Sequence, residues 1–286
     1  MGVLFKSQSG LVPNYYEQKN QAEAAVGRRL TNEEFERDYL NVGGGSALID
    51  TGTSVFDPCL CEMDYAWFTR EGDSILDPFA GGSVRGIVAS VMGRRYTGIE
   101  LRPEQVAANV EQGAAICDAQ PRWICGDSLD MDEHVGDEMF DHVFTCPPYG
   151  DLEVYSDDER DISNMSADEF DAAYAEIIAL AASHLRDDRF ATVVVGNYRD
   201  GRGYLRDLAG ITVAAAEAAG LRYYNDLILV TSAGSLPVRV GKQFTASRKA
   251  GRRHQYVLNF VKGDPKAASE RLGDVKLPDS EAFHEQ

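Results

Sequence analysis

From residue 74 onward the sequence alternates between two periodicities, and this limits the fold more than any other feature. SILDPF (74–79), RRYTGIEL (94–101), RWICGD (122–127), FDHVFTC (140–146) and FATVVVGNY (190–198) have strand length and strand composition. Between them SVRGIVASVMG (83–93), RPEQVAANVEQGAAI (102–116), SADEFDAAYAEIIALAASHL (166–185) and LRDLAGITVAAAEAAG (205–220) carry helical spacing. Pro103 suits a first helical turn, and Ser166 with Glu169 makes a capping box. Repeated β-α units predict an α/β fold with an open, mostly parallel, doubly wound sheet. DLILVTS (226–232) and QYVLNFVKG (255–263) read as strands with no helix between them, which predicts an antiparallel hairpin at one edge.

Residues 1–53 are polar and read as a helical and linker segment, with a capping box at Thr31–Glu34 and a glycine turn at 43–46. Residues 54–263 are the expected main domain, and 264–286 read as a disordered tail. At 286 residues the chain can bury a full core. Its 44% hydrophobic and 26% charged content is that of a soluble globular protein. No apolar run reaches bilayer-spanning length, so no membrane partner is expected. MGVLFKSQSG lacks the apolar core of a signal peptide. Five cysteines without a C-x-x-C spacing point to reduced thiols and a cytoplasmic location. With five histidines and no HExxH, no metal site is expected.

A net charge of −18 argues against a generic nucleic-acid binder, but its distribution matters more. No acidic residue lies between Asp226 and Asp264, whereas Arg239, Lys242, Arg248, Lys249, Arg252, Arg253 and Lys262 do. Residues 232–255 therefore read as a loop that contacts a polyanion, with Gln243 available to reach base edges. The alternative is a solvated loop.

Ligands of doubly wound sheets bind beyond the carboxyl ends of the strands. Asp77, Glu100, Asp127 and Cys146 all fall there. Asp77-Pro78-Phe79-Ala80-Gly81-Gly82-Ser83 joins a strand to a helix through glycines that let a ligand approach the backbone. Glu100 stands where an acid grips ribose hydroxyls, the alternative being an exposed charge at a strand end. Asp127, in Cys125-Gly126-Asp127-Ser128, stands where an acid accepts from an adenine amine. Cys146-Pro147-Pro148-Tyr149 ends a strand with two prolines, which have no N–H to donate.

Together these four strand ends resemble the amino-methyltransferase family that modifies bases in DNA, over about residues 54–263. The resemblance implies a Rossmann-like methyltransferase sheet, S-adenosylmethionine as methyl donor, and DNA with a flipped base as partner. DPFAGGS resembles the cofactor motif, which implies cofactor contacts at Asp77, Phe79, Ala80, Gly81 and Ser83. Glu100 and Asp127 resemble the ribose and adenine acids, with Leu101 and Ser128 beside them. Phe56, in Ser54-Val55-Phe56-Asp57-Pro58, is similar to the segment that completes the cofactor pocket. Cys146, Pro147, Pro148 and Tyr149 resemble the catalytic (D/N/S)PP(Y/F). The nearest likeness is to bacteriophage-type members that carry CPPY and a later GKQFTASRK, a setting in which restriction-modification is one role. On this reading, alanine at Asp77 or Glu100 is expected to weaken cofactor binding and leave the fold intact.

Cys146 departs from the family pattern, because a thiol is a poor acceptor. Its backbone carbonyl would still accept from an exocyclic amine, with Tyr149 stacking on the base. The same cysteine would serve a cytosine-C5 enzyme as nucleophile, with Glu153 as the nearby acid. An RNA methyltransferase and a non-catalytic DNA-binding module on the same fold are further alternatives. A nicotinamide dehydrogenase fails for want of GxGxxG. The short basic segment leaves little room for target recognition, so help is expected from residues 1–53 or from the second subunit of a homodimer.

Overall fold

The computed structural model describes residues 56–150, 156–230 and 236–275. Of these, a larger compact unit takes in 58–229 and 255–275, and a smaller one takes in 56–57, 230 and 236–254. The N-terminal segment 1–53, Glu153 and the end of the tail lie outside the described residues.

The larger unit starts with helix α1 (Pro58–Phe68). Strand β1 (Ser74–Asp77) leads into α2 (Val84–Val91), β2 (Arg95–Glu100) into α3 (Pro103–Ile116), and β3 (Arg122–Cys125) into α4 (Met131–Val135). Next come β4 (Phe140–Thr145), α5 (Ala167–Ser183) and β5 (Leu185–Val195). A small hairpin of β6 (Tyr198–Arg199) and β7 (Leu205–Arg206) precedes α6 (Leu208–Ala218) and β8 (Arg222–Val230). Strand β9 (His254–Lys262) and helix α8 (Pro265–Leu272) close it.

The sheet order is β3-β2-β1-β4-β5-β9-β8. Strands β1 to β5 pair in parallel, and β9 returns antiparallel to β5. The parallel strands read as apolar runs because both of their faces are covered, so β1 and β4 are buried at every position. Val143 faces a core built with Tyr174 and Ile177 of α5 and Leu208 and Ala216 of α6. On the other face, the His142 ring stacks with Phe68 of α1, and Phe144 meets Tyr65 edge-on at 5.3 Å.

Helix starts follow local chemistry. Ser166 and Glu169 form the full capping box at α5, and Asp207 and Asp264 cap α6 and α8. Beyond helices α1 and α4 and the β6–β7 hairpin, which the sequence reading does not name, three elements differ from it. The connection between β8 and β9 contains helix α7 (Leu236–Ser247), in the smaller unit, where a loop is expected. Thr245 and Ser247 turn their hydroxyls back to the carbonyls four residues earlier, of Gly241 and Gln243. The left-handed Arg248, φ 57°, follows its last residue. Residues 264–275, read as tail, contain α8, whose Arg271 pairs with Asp73 and Asp141. Strand β5 begins at Leu185, five residues before the expected start, with Leu185 opposite Phe140 of β4, Arg189 opposite Lys262 of β9 and a register shift between. Among the described residues no helix is long and apolar enough to cross a membrane.

Candidate active site

Strands β1 and β4 are neighbours, with Leu76 opposite Val143. Here the strand order reverses direction, the place where ligands of such sheets bind, beyond the carboxyl ends. The DPFAGGS turn leaves one of these two strands and CPPY leaves the other. Asp77 and Cys146, far apart in sequence, therefore start from adjacent strand ends.

Asp77 holds the two motifs together. Its carboxylate is fully buried. Oδ1 accepts from Thr145 Oγ1 at 2.6 Å and from the Phe79 N–H at 3.1 Å. Oδ2 accepts from Arg85 Nε at 2.6 Å and Tyr96 Oη at 2.7 Å. Arg85 Nη2 donates in turn to the carbonyls of Phe79 and Ala80, at 2.6 and 2.9 Å. Burial alone would lower the Arg85 pKa, but the Asp77 charge reverses this and holds the guanidinium above its ordinary value. Burial, reinforced by Asp77, raises the Tyr96 phenol well above its usual range. Sequence places Asp77 among the cofactor contacts. In the structure this carboxylate is buried with two donors on each oxygen, so it also shapes the turn.

The turn itself bends at Gly81, φ 51°, a conformation that favours glycine. Glu100 reaches it from the end of β2, where Oε2 accepts the Gly81 N–H at 3.0 Å. Glu100 Oε1 accepts from Arg102, through both its backbone N–H and Nε. Asn109, buried on α3, donates to the Gly81 carbonyl at 2.7 Å. Ser83 donates to Gln112 at 2.5 Å, and Ser128 donates to the Pro78 carbonyl at 2.5 Å. Ala80 is buried, and the Phe79 ring packs on Tyr174 with centroids 6.0 Å apart. Leu101 is half-buried at the same rim. Asp127 caps the short turn after β3 through the Leu129 N–H at 2.9 Å. The structure thus brings Asp77, Phe79, Ala80, Gly81, Ser83, Glu100, Leu101, Asp127 and Ser128 to one rim of the larger unit. Phe56 belongs to the smaller unit.

At the neighbouring strand end, Cys146, Pro148 and Tyr149 are half-buried and Pro147 is buried. Tyr149 Oη accepts from Gln255 Nε2, at the start of β9, at 2.5 Å, and it lies 3.8 Å from Cys146 Sγ. A side chain added at Gly196 would lie 3.4 Å from the Tyr149 ring, which places that ring against the exit of β5. Glu153 lies outside the described residues. The segment that follows is braced by Asp161, which accepts from Ser156 and Ser163. Within it Arg160 holds Asp158 down to a pKa of about 2, and it also feels the charges of Asp127 and Asp130.

In the smaller unit Gln243, Arg248 and Arg253 are exposed, and Lys249 and Arg252 are half-buried. The Arg248 guanidinium lies over the Phe244 ring at 5.5 Å. Arg239 and Lys242 fall within α7.

Sequence reasoning missed Arg85, Tyr96, Thr145 and Gln255. One signal was present for Arg85, a lone charge on the first turn of a helix otherwise rich in apolar residues.

No family model matches the chain. A stretch of it is 41% identical over 63 residues to the type II methyltransferase M.Cfr9I of Citrobacter freundii, covering 21% of this chain and 19% of that protein. Another match, 53% identical over 36 residues, is to the type II methyltransferase M2.DpnII of Streptococcus pneumoniae, covering 13% of each. The chain thus spans only those small shares of these relatives' lengths. Among solved structures it is similar to TrmN from Thermus thermophilus, with a TM-score of 0.50 and 14% identity, over 72% of this chain and 49% of that one. The fold is that of a Rossmann-like methyltransferase.

Proposed function

We propose that this chain transfers a methyl group from S-adenosylmethionine to an exocyclic amine of a base flipped out of DNA, N4 of cytosine or N6 of adenine. The observation that carries the reading is the Asp77–Thr145 hydrogen bond, which ties the DPFAGGS turn to the CPPY strand end where the strand order reverses between β1 and β4. The likeness to two type II methyltransferases supports the reaction class.

The rim fits a nucleoside cofactor. Glu100 is an acid poised at the turn, Leu101 is a half-buried apolar neighbour, and Asp127 is an acid at the end of the next strand. These residues would hold the ribose and adenine, while the Gly81–Gly82 backbone admits the amino-acid portion. When bound, the cofactor would supply a methyl carbon on a sulfonium sulfur; the carbon–sulfur pair would stay on sulfur, the amine lone pair would form the new bond, and the proton then lost from nitrogen would pass to water.

The chain's own contribution is positioning. Pro147 and Pro148 fix the direction of the Cys146 carbonyl, which accepts an N–H of the target amine and turns its lone pair towards the methyl. Tyr149, held by Gln255, offers its face to the extruded base. Arg248, Lys249, Arg252 and Arg253, with Arg239, Lys242 and Gln243 in the same segment, supply phosphate and base contacts.

The test is to incubate DNA with the protein and labelled S-adenosylmethionine, digest to nucleosides and identify the product by mass spectrometry. N4-methylcytosine or N6-methyladenine is expected. Label in 5-methylcytosine, or in RNA alone, overturns the reading.

A further inference from the structure

The β6–β7 hairpin is a second feature of the same rim. It leaves β5 directly, with Tyr198 following Val195 after only Gly196 and Asn197. β5 lies parallel to β4, with Val193 opposite Thr145, so the hairpin grows from the strand end beside CPPY. A two-stranded hairpin is marginal on its own, and this one is fastened at its root. Arg206 donates to Asp171 on α5 at 2.5 Å and to the Ala167 carbonyl at 3.1 Å. Asn197 donates to Asp207 at 2.8 Å, the cap of α6, and accepts the Ala209 N–H. Tyr198 is buried with its hydroxyl against Gly150, the residue after CPPY, where φ is 57° and any side chain would collide with it.

The tip is different. Asp200 Oδ1 accepts the N–H groups of Arg202 and Tyr204, at 3.0 and 2.8 Å. The Tyr204 N–H is the main cause of that acid's lowered pKa. The turn's one carboxylate thus builds the turn through one oxygen, and its other, Oδ2, pairs with Arg202 Nε at 3.6 Å on the solvent side. What faces solvent is Arg199, Arg202 with its side chain 83% exposed, Tyr204 at 69% and Leu205 at 51%. The Arg202 guanidinium lies 5.7 Å over the Tyr204 ring. On a chain of net charge −18, residues 198–206 carry three arginines against one aspartate. An arginine-capped tyrosine on a rigid root matches an anionic, aromatic polymer in both charge and shape.

We propose that this hairpin is a finger that grips DNA beside the flipped nucleotide, an inference that rests on the function proposed above. Arg199 and Arg202 hold phosphates, and Tyr204 stacks on a base left unpaired or unstacked by flipping. About five residues from Gly196 to the tip span roughly 16 Å at ~3.3 Å each, so the finger works within about five base pairs of the target.

The test uses the full chain and a fluorescein-labelled duplex of about 30 base pairs with one central mismatch, titrated by anisotropy at several KCl concentrations. Tyr204→Ala is expected to weaken binding roughly five- to 150-fold, with Tyr204→Phe close to wild type. Arg199→Ala and Arg202→Ala are each expected to reduce the slope of log K against log salt by about 0.9. All these positions are exposed, and thermal melts of each variant check that the fold is kept. Wild-type affinity and slope in all three alanine variants overturn the finger, as does a wild-type protein that binds single-stranded RNA and no duplex. A protein that binds the duplex and methylates nothing sinks the proposed activity. In that case the finger still stands or falls on its variants.

Discussion

The rim of the sheet has two halves of opposite character. At the ends of β1, β2 and β3 the polar side chains are already engaged, Asp77 by four donors and Glu100 by three. At the ends of β4 and β5, Cys146 and Tyr149 are half-buried and the hairpin exposes Arg202, Tyr204 and Leu205. The first half is built in advance for a ligand of fixed shape. The second presents exposed or half-buried ring faces and guanidinium groups that another molecule can reach. An interlocked half loses stability when it is cut, whereas an open half loses affinity.

The largest effect is therefore expected at the turn. Asp77→Asn leaves Arg85 buried without its counter-charge and should cost about 3–5 kcal/mol of stability, read from urea unfolding. A stable variant that has lost only cofactor affinity would make Asp77 a cofactor contact, as the sequence reading expects.

On the open half, Tyr149→Ala should leave the urea midpoint nearly unchanged and weaken binding of a mismatched duplex by about 1–3 kcal/mol. A large stability loss with unaltered binding would erase the contrast between the halves.

A smaller effect is expected at the opposite end of the sheet, where Arg271 of α8 pairs with Asp73 and Asp141. Burial alone would raise the Asp141 pKa, but the Ser74 N–H and hydroxyl, Arg189 and Arg271 together hold it below the usual carboxylate value. A depressed carboxylate stabilises the fold above its unfolded pKa of about 3.9 and loses that contribution as pH falls through the folded value. Arg271→Ala should cost about 1 kcal/mol or less at neutral pH and should flatten the loss of stability below pH ~4, measured by thermal melts across that range. A variant whose acid profile matches wild type removes Arg271 from the network.

The least change is expected from Cys146→Ser. If the carbonyl is the acceptor, serine keeps it and adds a better side-chain acceptor, so turnover should persist or rise. Turnover abolished by serine, together with a covalent adduct between the native enzyme and 5-fluorocytosine DNA, would make Cys146 a nucleophile and reopen the C5 route.

The sheet was legible because fully covered strands must be apolar throughout, and because loops after parallel strands carry the chemistry. The start of α5 was legible for a different reason: Ser166 and Glu169 cap it within one turn, so sequence alone finds them. Longer pairings show where local signals stop. Arg85 is eight residues from Asp77, but Thr145 is 68 away and Gln255 lies 106 from Tyr149. Such pairings depend on which strands become neighbours, which no local pattern encodes. Strand β5 was read short because Arg186, Asp187, Asp188 and Arg189 break its apolar run, although the backbone continues in the ladder with Arg189 opposite Lys262. The hairpin escaped notice because its two strands are two residues each.

The position of β9 between β5 and β8 has a consequence during synthesis. In chain order β9 is the last strand of the sheet, yet it fills an interior place. Until residue 262 has left the ribosome, the apolar run Phe190–Val195 offers an open ladder edge on that side, and β8 has no inner neighbour. An unpaired apolar edge is a template for pairing with another chain. A nascent chain stalled or cleaved before His254 would therefore be prone to aggregate, even with every strand of the parallel half already made.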